Sequence, residues 1–149
     1  MSHRRVVYVV DDEADVCEAL KLLLHTAGLE ARTYASAEEF LSEVRLSTPI
    51  CLLVDVRLPG MSGLDLVRHL QQGPVRPVVV MITGHGDVPL AVKAMRAGAL
   101  HFLEKPFEPA ELLQALEEAL QRVSQMAAEE VTSAAIEASY RSLTPREQE

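Results

Sequence analysis

Short runs of aliphatic residues alternate with helix-spaced segments along the whole chain, and this alternation restricts the fold more than any other feature. The runs RVVYVV (5–10), LEARTY (29–34), PICLLV (49–54), PVVVMI (77–82) and ALHFL (99–103) read as strands. Between them, residues 14–27, 36–46, 63–72 and 87–97 carry apolar side chains at i, i+3 and i+4, as Leu20, Leu23, Leu24 and Ala27 do in the first. Ser36 and Asp87 stand where N-caps belong, and Gly28 and Gly98 where C-caps belong. A fifth helical pattern opens at Pro109. The first, third and fourth runs are nearly continuous in Val, Ile and Leu, as expected of strands covered by helices on both faces. The second alternates polar and apolar residues and suits an edge. The expectation is an α/β fold: a doubly wound, five-stranded parallel sheet ordered 2-1-3-4-5.

Composition sets outer bounds. At 149 residues, 48% of them hydrophobic, the chain suits one domain with a core and a short appendage. A formal net charge of -8 argues against an extended phosphate-binding surface for nucleic acid. Cys17 and Cys51 lie in apolar contexts and read as reduced, buried thiols. The basic start MSHRRVVYVVDD has too short an apolar run for a signal peptide, and no stretch is long enough to cross a bilayer. A soluble cytoplasmic protein without a membrane partner is expected. His3, His25, His69, His85 and His101 are scattered without ligand spacing, which disfavours a zinc site.

The last helix outruns the others. Leu116, Leu120, Val123, Ala127, Val131, Ala134 and Ala138 recur at steps of three or four. A continuous helix from 109 to about 139 would be roughly 46 Å long at ~1.5 Å per residue, so its distal part is expected to leave the domain. A break in the pattern near Glu130 weakens a regular coiled-coil reading.

In a sheet of this order, ligands bind beyond the carboxyl ends of the strands, where the order reverses between strands one and three. Asp11 and Asp12 follow strand one, Asp55 ends strand three, Thr83 ends strand four, and Glu104-Lys105-Pro106 follows strand five. Singly, each has an ordinary explanation: Asp12 or Asp15 as a cap or turn residue, Lys105 as a surface lysine, Thr83 as a loop residue. Together they converge on one edge. Three clustered carboxylates call for a hard cation with oxygen ligands, and Mg2+ (or Mn2+) fits. Asp55 then has the chemistry of a nucleophile toward phosphorus, with Lys105 and the Thr83 hydroxyl placed to meet phosphoryl oxygens.

The segments VVDDE, LLVDVRLPGMSGLDL, MITGHGD and HFLEKPF closely resemble the receiver domain of two-component response regulators, especially FixJ-type transcriptional regulators of the LuxR/NarL class. The resemblance covers residues 5 to about 122 and implies a flavodoxin-like fold. It implies that Asp55 accepts phosphate from a sensor histidine kinase, with Asp11, Asp12, Asp55 and the main-chain carbonyl of Arg57 holding the metal. Thr83 and Lys105 match the phosphate-contacting pair, and Phe102 matches a switching aromatic. A cis bond before Pro106 would aim Lys105 into the site. Arg57 sits where side chains of this family influence dephosphorylation. Such a protein takes part in its own phosphorylation and dephosphorylation but is a signalling protein, not an enzyme.

Three other functions fit the residues less well. A haloacid-dehalogenase-like phosphatase uses related logic, but its acceptor strand ends Asp-x-Asp; here Arg57 occupies the second position, and no cap insertion is evident. A dinucleotide-binding domain needs a glycine-rich turn where this chain has DDEADV. A receiver-like interaction module that is never phosphorylated would have little need for the complete residue set.

The loop TGHGD is expected to move toward a bound phosphate with Thr83, letting Phe102 rotate inward and remodelling the face that carries Val92, Arg96 and His101. That face is the expected site of homodimerisation on phosphorylation. At the C-terminus, LTPREQE offers Thr144 as N-cap, Pro145 at N1 and Glu147 at N3, and resembles the opening of a LuxR/NarL-type helix-turn-helix domain. The expected division is a receiver over 1–122, a linker helix over 123–141 and the start of a truncated DNA-binding domain over 142–149. DNA would be bound only through the missing part.

Overall fold

The computed structural model describes residues 5–84 and 88–143, with residues 129–143 as backbone alone. Five strands and five helices alternate: β1 (Arg5–Val10), α1 (Ala14–Thr26), β2 (Leu29–Tyr34), α2 (Ala37–Glu43), β3 (Cys51–Asp55), α3 (Gly63–Gln71), β4 (Val78–Thr83), α4 (Val88–Arg96), β5 (Ala99–Glu104) and α5 (Pro109–Leu143). The sheet is parallel throughout and ordered β2-β1-β3-β4-β5, as the aliphatic runs predict.

Strand side chains alternate between two cores. Val7, Val9, Cys51, Leu53, Val80 and Ile82 face α1 and α5, where they meet Leu20, Leu24, Leu112 and Leu116. Val10, Leu52, Val54, Val79 and Met81 face the opposite layer and pack with Phe40, Leu66, Val67 and Ala94 from α2, α3 and α4. Both cysteine thiols are free and buried. Burial pushes the Cys51 thiol up to about 12, leaving it protonated and inert. Tyr8 and Tyr34 stack with their ring centroids 6.4 Å apart, and Phe40 meets both edge-on.

Three strands run one residue beyond their apolar runs. Asp55 pairs with Ile82, and Thr83 with Glu104, so polar residues occupy the last rungs of the ladder. Helix α2 is shorter than the 36–46 pattern predicts. Ser36 caps it by accepting from Glu39 N–H, but Val44 is already extended at φ -117°, ψ 126°. Val44 and Leu46 both reach the core from this extended segment, a period of two that a helix does not provide. Gly28 follows the α1 C-cap residue Ala27 at φ +78°, as its terminal position requires. The Lys105–Pro106 bond is cis. Asp87, Val131, Ala134, Ala138, Thr144, Pro145 and Glu147 fall where no side chain is described, so the cap, coiled-coil and terminal readings built on them lie outside the described residues. No helix among the described residues is long and apolar enough to cross a membrane.

Candidate functional site

The carboxyl edge of the sheet brings Asp11, Asp12 and Asp55 together, with a carboxylate oxygen from each lying within 4.8 Å of the others. Asp11 and Asp55 are buried at the ends of rigid strands, whereas Asp12 is exposed at the rim. Lys105 reaches into the group from the end of β5. Its Nζ donates to Asp11 Oδ2 at 2.9 Å, to Asp55 Oδ2 at 2.9 Å and to Glu13 Oε2 at 3.0 Å. Burial works against the ammonium, but hydrogen bonds to Asp11, Asp55 and Glu13 outweigh it and raise the lysine above its ordinary range. Burial pushes the Asp11 carboxyl up, and its hydrogen bonds with Lys105 and the Glu13 backbone hold that rise back.

Local structure fixes each carboxylate. Glu13 N–H donates to Asp11 Oδ1 at 2.9 Å and turns the chain from β1 into α1. The buried Cys17 thiol donates to the Asp11 carbonyl at 3.3 Å, so a residue that reads as plain core also steadies the site. On β3, Arg57 N–H donates to Asp55 Oδ1 at 2.9 Å. Gly63 opens α3 directly against Asp55: a Cβ there would overlap the Asp55 carbonyl, so only glycine lets helix and strand approach this closely. Thr83 is fully buried, and its carbonyl accepts from Lys105 N–H at 2.7 Å, linking the ends of β4 and β5.

All of Asp11, Asp12, Asp55, Thr83 and Lys105 therefore lie where strand-end reasoning expects them. The Arg57 side chain is exposed. Phe102 is half-buried and packs with the α2–α4 core, on the side that also receives Met81 from β4. Val92 and Arg96 are exposed on α4, but His101 is engaged: its Nε2 lies 2.7 Å from Glu118 Oε2 on α5. Sequence reasoning missed Glu13 as a partner of Lys105. It also missed Val88 and Met95, which are exposed beside Val92. An apolar groove of about 640 Å³ opens next to Lys105, lined by Val16, Leu20, Leu23, Pro106 and Phe107.

An all-oxygen set of three carboxylates, two of them withdrawn from water, is the donor chemistry that a hard divalent cation takes. A lysine poised over the same oxygens adds an anion-binding element. Residues 7–117 match the response regulator receiver domain family. The chain belongs to that family. It is 42% identical over 144 residues to the response regulator protein TodT of Pseudomonas putida, covering 97% of this chain and 63% of TodT. It is 40% identical over 151 residues to the transcriptional regulatory protein FixJ of Bradyrhizobium diazoefficiens, covering 100% of this chain and 73% of FixJ. Among solved structures, the response regulator StyR superposes with a TM-score of 0.88 at 42% identity, covering 98% of this chain and 74% of StyR. The chain thus spans less than two thirds of TodT's length. Its receiver fold and its place among signalling proteins agree with what the strand-end residues imply, and neither the phosphatase nor the dinucleotide-binding reading gains support.

Proposed function

We propose that this receiver domain is switched by transfer of a phosphoryl group from a sensor histidine kinase to Asp55. The observation that carries the reading is the Lys105 ammonium lying 2.9 Å from both Asp11 and Asp55 at the edge of an apolar sheet. An Asp55 carboxylate oxygen attacks the phosphorus of a phosphohistidine. The new P–O bond forms as the P–N bond breaks, and the electron pair leaves with the imidazole nitrogen. Lys105 and the Thr83 hydroxyl then take phosphoryl oxygens as hydrogen-bond acceptors. Asp11, Asp12, Asp55 and the Arg57 carbonyl would hold Mg2+ (or Mn2+), which supplies charge compensation for the transferring group. The groove beside Lys105 gives a protein-borne donor an apolar surface on which to seat.

In this reading, Thr83 and Phe102 relay the phosphorylated state to α4 and β5, where Val92, Arg96 and His101 border a homodimer contact. Residues 1–122 act as the receiver, 123–141 as a connecting helix, and 142–149 lead toward a DNA-binding output domain in a cytoplasmic regulator. The family match over residues 7–117 supports the receiver part of this division, and TodT and FixJ are both longer than this chain. Incubation with acetyl phosphate and magnesium, followed by intact mass measurement, tests the central step. A phosphate adduct is expected on the wild type and not on Asp55→Asn; equal adducts on both would overturn the assignment.

A further inference from the structure

The loop from Arg57 to Met61 begins one residue beyond Val56, the neighbour of Asp55, and carries the carbonyl assigned above to the metal. Sheet and helix anchor its two ends. Val56 N–H donates to the Ile82 carbonyl at 2.8 Å, and Gly63 N–H to the Val56 carbonyl at 2.9 Å. Between these anchors the loop is held by a side chain from a different element. Glu38, in the first turn of α2, accepts from Met61 N–H through Oε2 at 2.8 Å. The neighbouring Gly60 has φ +76°, and a Cβ there would come within 2.6 Å of Glu38 Oε2. The missing side chain is therefore what lets the carboxylate reach the loop backbone. Hydrogen bonds from the Met61 amide and from its own amide hold the Glu38 carboxyl below its usual range, so it is an anionic acceptor at neutral pH.

We propose that Glu38 is a positioning residue for the metal centre: by fixing Met61 it holds the 57–61 loop, and with it the Arg57 carbonyl, in place beside Asp55. It acts through the loop and not on the reacting atoms. Partners that orient a ligand tune a metal's affinity, and the Arg57 carbonyl, whose own amide is already tied to Asp55, takes its remaining support from the loop. The inference rests on the reading of the Arg57 carbonyl as a ligand.

Calorimetric titration of the whole chain with magnesium chloride, paired with amide hydrogen exchange, tests it. Glu38→Ala and Glu38→Asp, the latter keeping the charge but drawing it back by one methylene, are expected to weaken magnesium binding roughly tenfold. Both should speed exchange at Met61. Glu38→Gln retains an acceptor oxygen and should restore wild-type affinity. Thermal melts without magnesium check that each variant is folded; the aspartate variant serves if the alanine variant is not. Wild-type affinity in Glu38→Asp despite faster Met61 exchange would overturn the proposal, as would unchanged exchange. Asp12→Asn separates the two readings: magnesium affinity that survives it would overturn the metal assignment itself, and the inference with it.

Discussion

Lys105 sets the charge balance of the site, because one ammonium faces Asp11, Glu13 and Asp55 together. Replacing it with methionine keeps most of the stem's volume and removes the cation. Asp11 and Asp55 are then left buried as neighbouring anions, the arrangement that costs most when a buried pair is broken from one side. Lys105→Met is expected to lose about 2–3 kcal/mol of unfolding free energy in magnesium-free urea titrations, below the range for fully buried pairs because the site opens to water. Millimolar magnesium should return part of that loss by supplying the missing charge to the folded state. Identical urea midpoints for variant and wild type without magnesium would refute this account. At this scale the five strand-end residues are legible in the sequence because each stands at or just past the end of an apolar run, and topology alone brings them together. Glu13 and Glu38 are not legible. Their roles depend on where a long side chain reaches across to another element, and neither periodicity nor capping preference encodes that.

Helix α5 shows how an element can be legible in outline but not in its fastenings. Its apolar spacing places Leu116 and Leu120 in the core as expected, Leu112 joins them, and partial burial continues through Val123 and Met126. At 35 residues it spans about 50 Å at ~1.5 Å per residue. Beside this apolar seat, a pair of adjacent acids ties the helix to two strands. Glu117 receives a two-pronged bond from Arg5 on β1, at 2.8 and 2.9 Å, while Glu118 takes His101 on β5. These contacts join residues more than a hundred positions apart in one case, and no local pattern announces them. The hydrogen bond from Arg5 holds the Glu117 carboxyl below its ordinary range. A depressed carboxyl contributes stability that is present above the unfolded pKa and is lost as pH falls through the folded one. Glu117→Gln is therefore expected to be less stable than wild type by about 0.5 kcal/mol at neutral pH, since the pair is half-exposed. That gap should close below the carboxylate range. Urea titrations across pH check it, and a gap that stays constant into acid would exclude the linkage.

Over the whole molecule, the site occupies one edge of the sheet, and α4, the helix that follows β4, buries little of its apolar surface. Ala94 is the buried residue of α4, while Val88, Val92 and Met95 show 77%, 42% and 49% exposure. An element with few buried contacts is the cheapest to displace, and α4 follows Thr83, which the proposed switch moves. Phosphorylation adds about two negative charges and three acceptor oxygens at Asp55. Drawing Thr83 toward them would shift the loop into α4 and reshape this apolar strip, which in water favours burial against a second copy. Beryllofluoride with magnesium, mimicking the phosphorylated state, is expected to double the sedimenting mass of the wild type. Val92→Asp places a charge in the strip without disturbing the core, because Val92 is exposed. It should bind beryllofluoride as the wild type does and remain a monomer. If Val92→Asp dimerised like the wild type, the contact would lie on another face; if the wild type stayed monomeric with beryllofluoride bound, dimerisation as the output of the switch would be overturned.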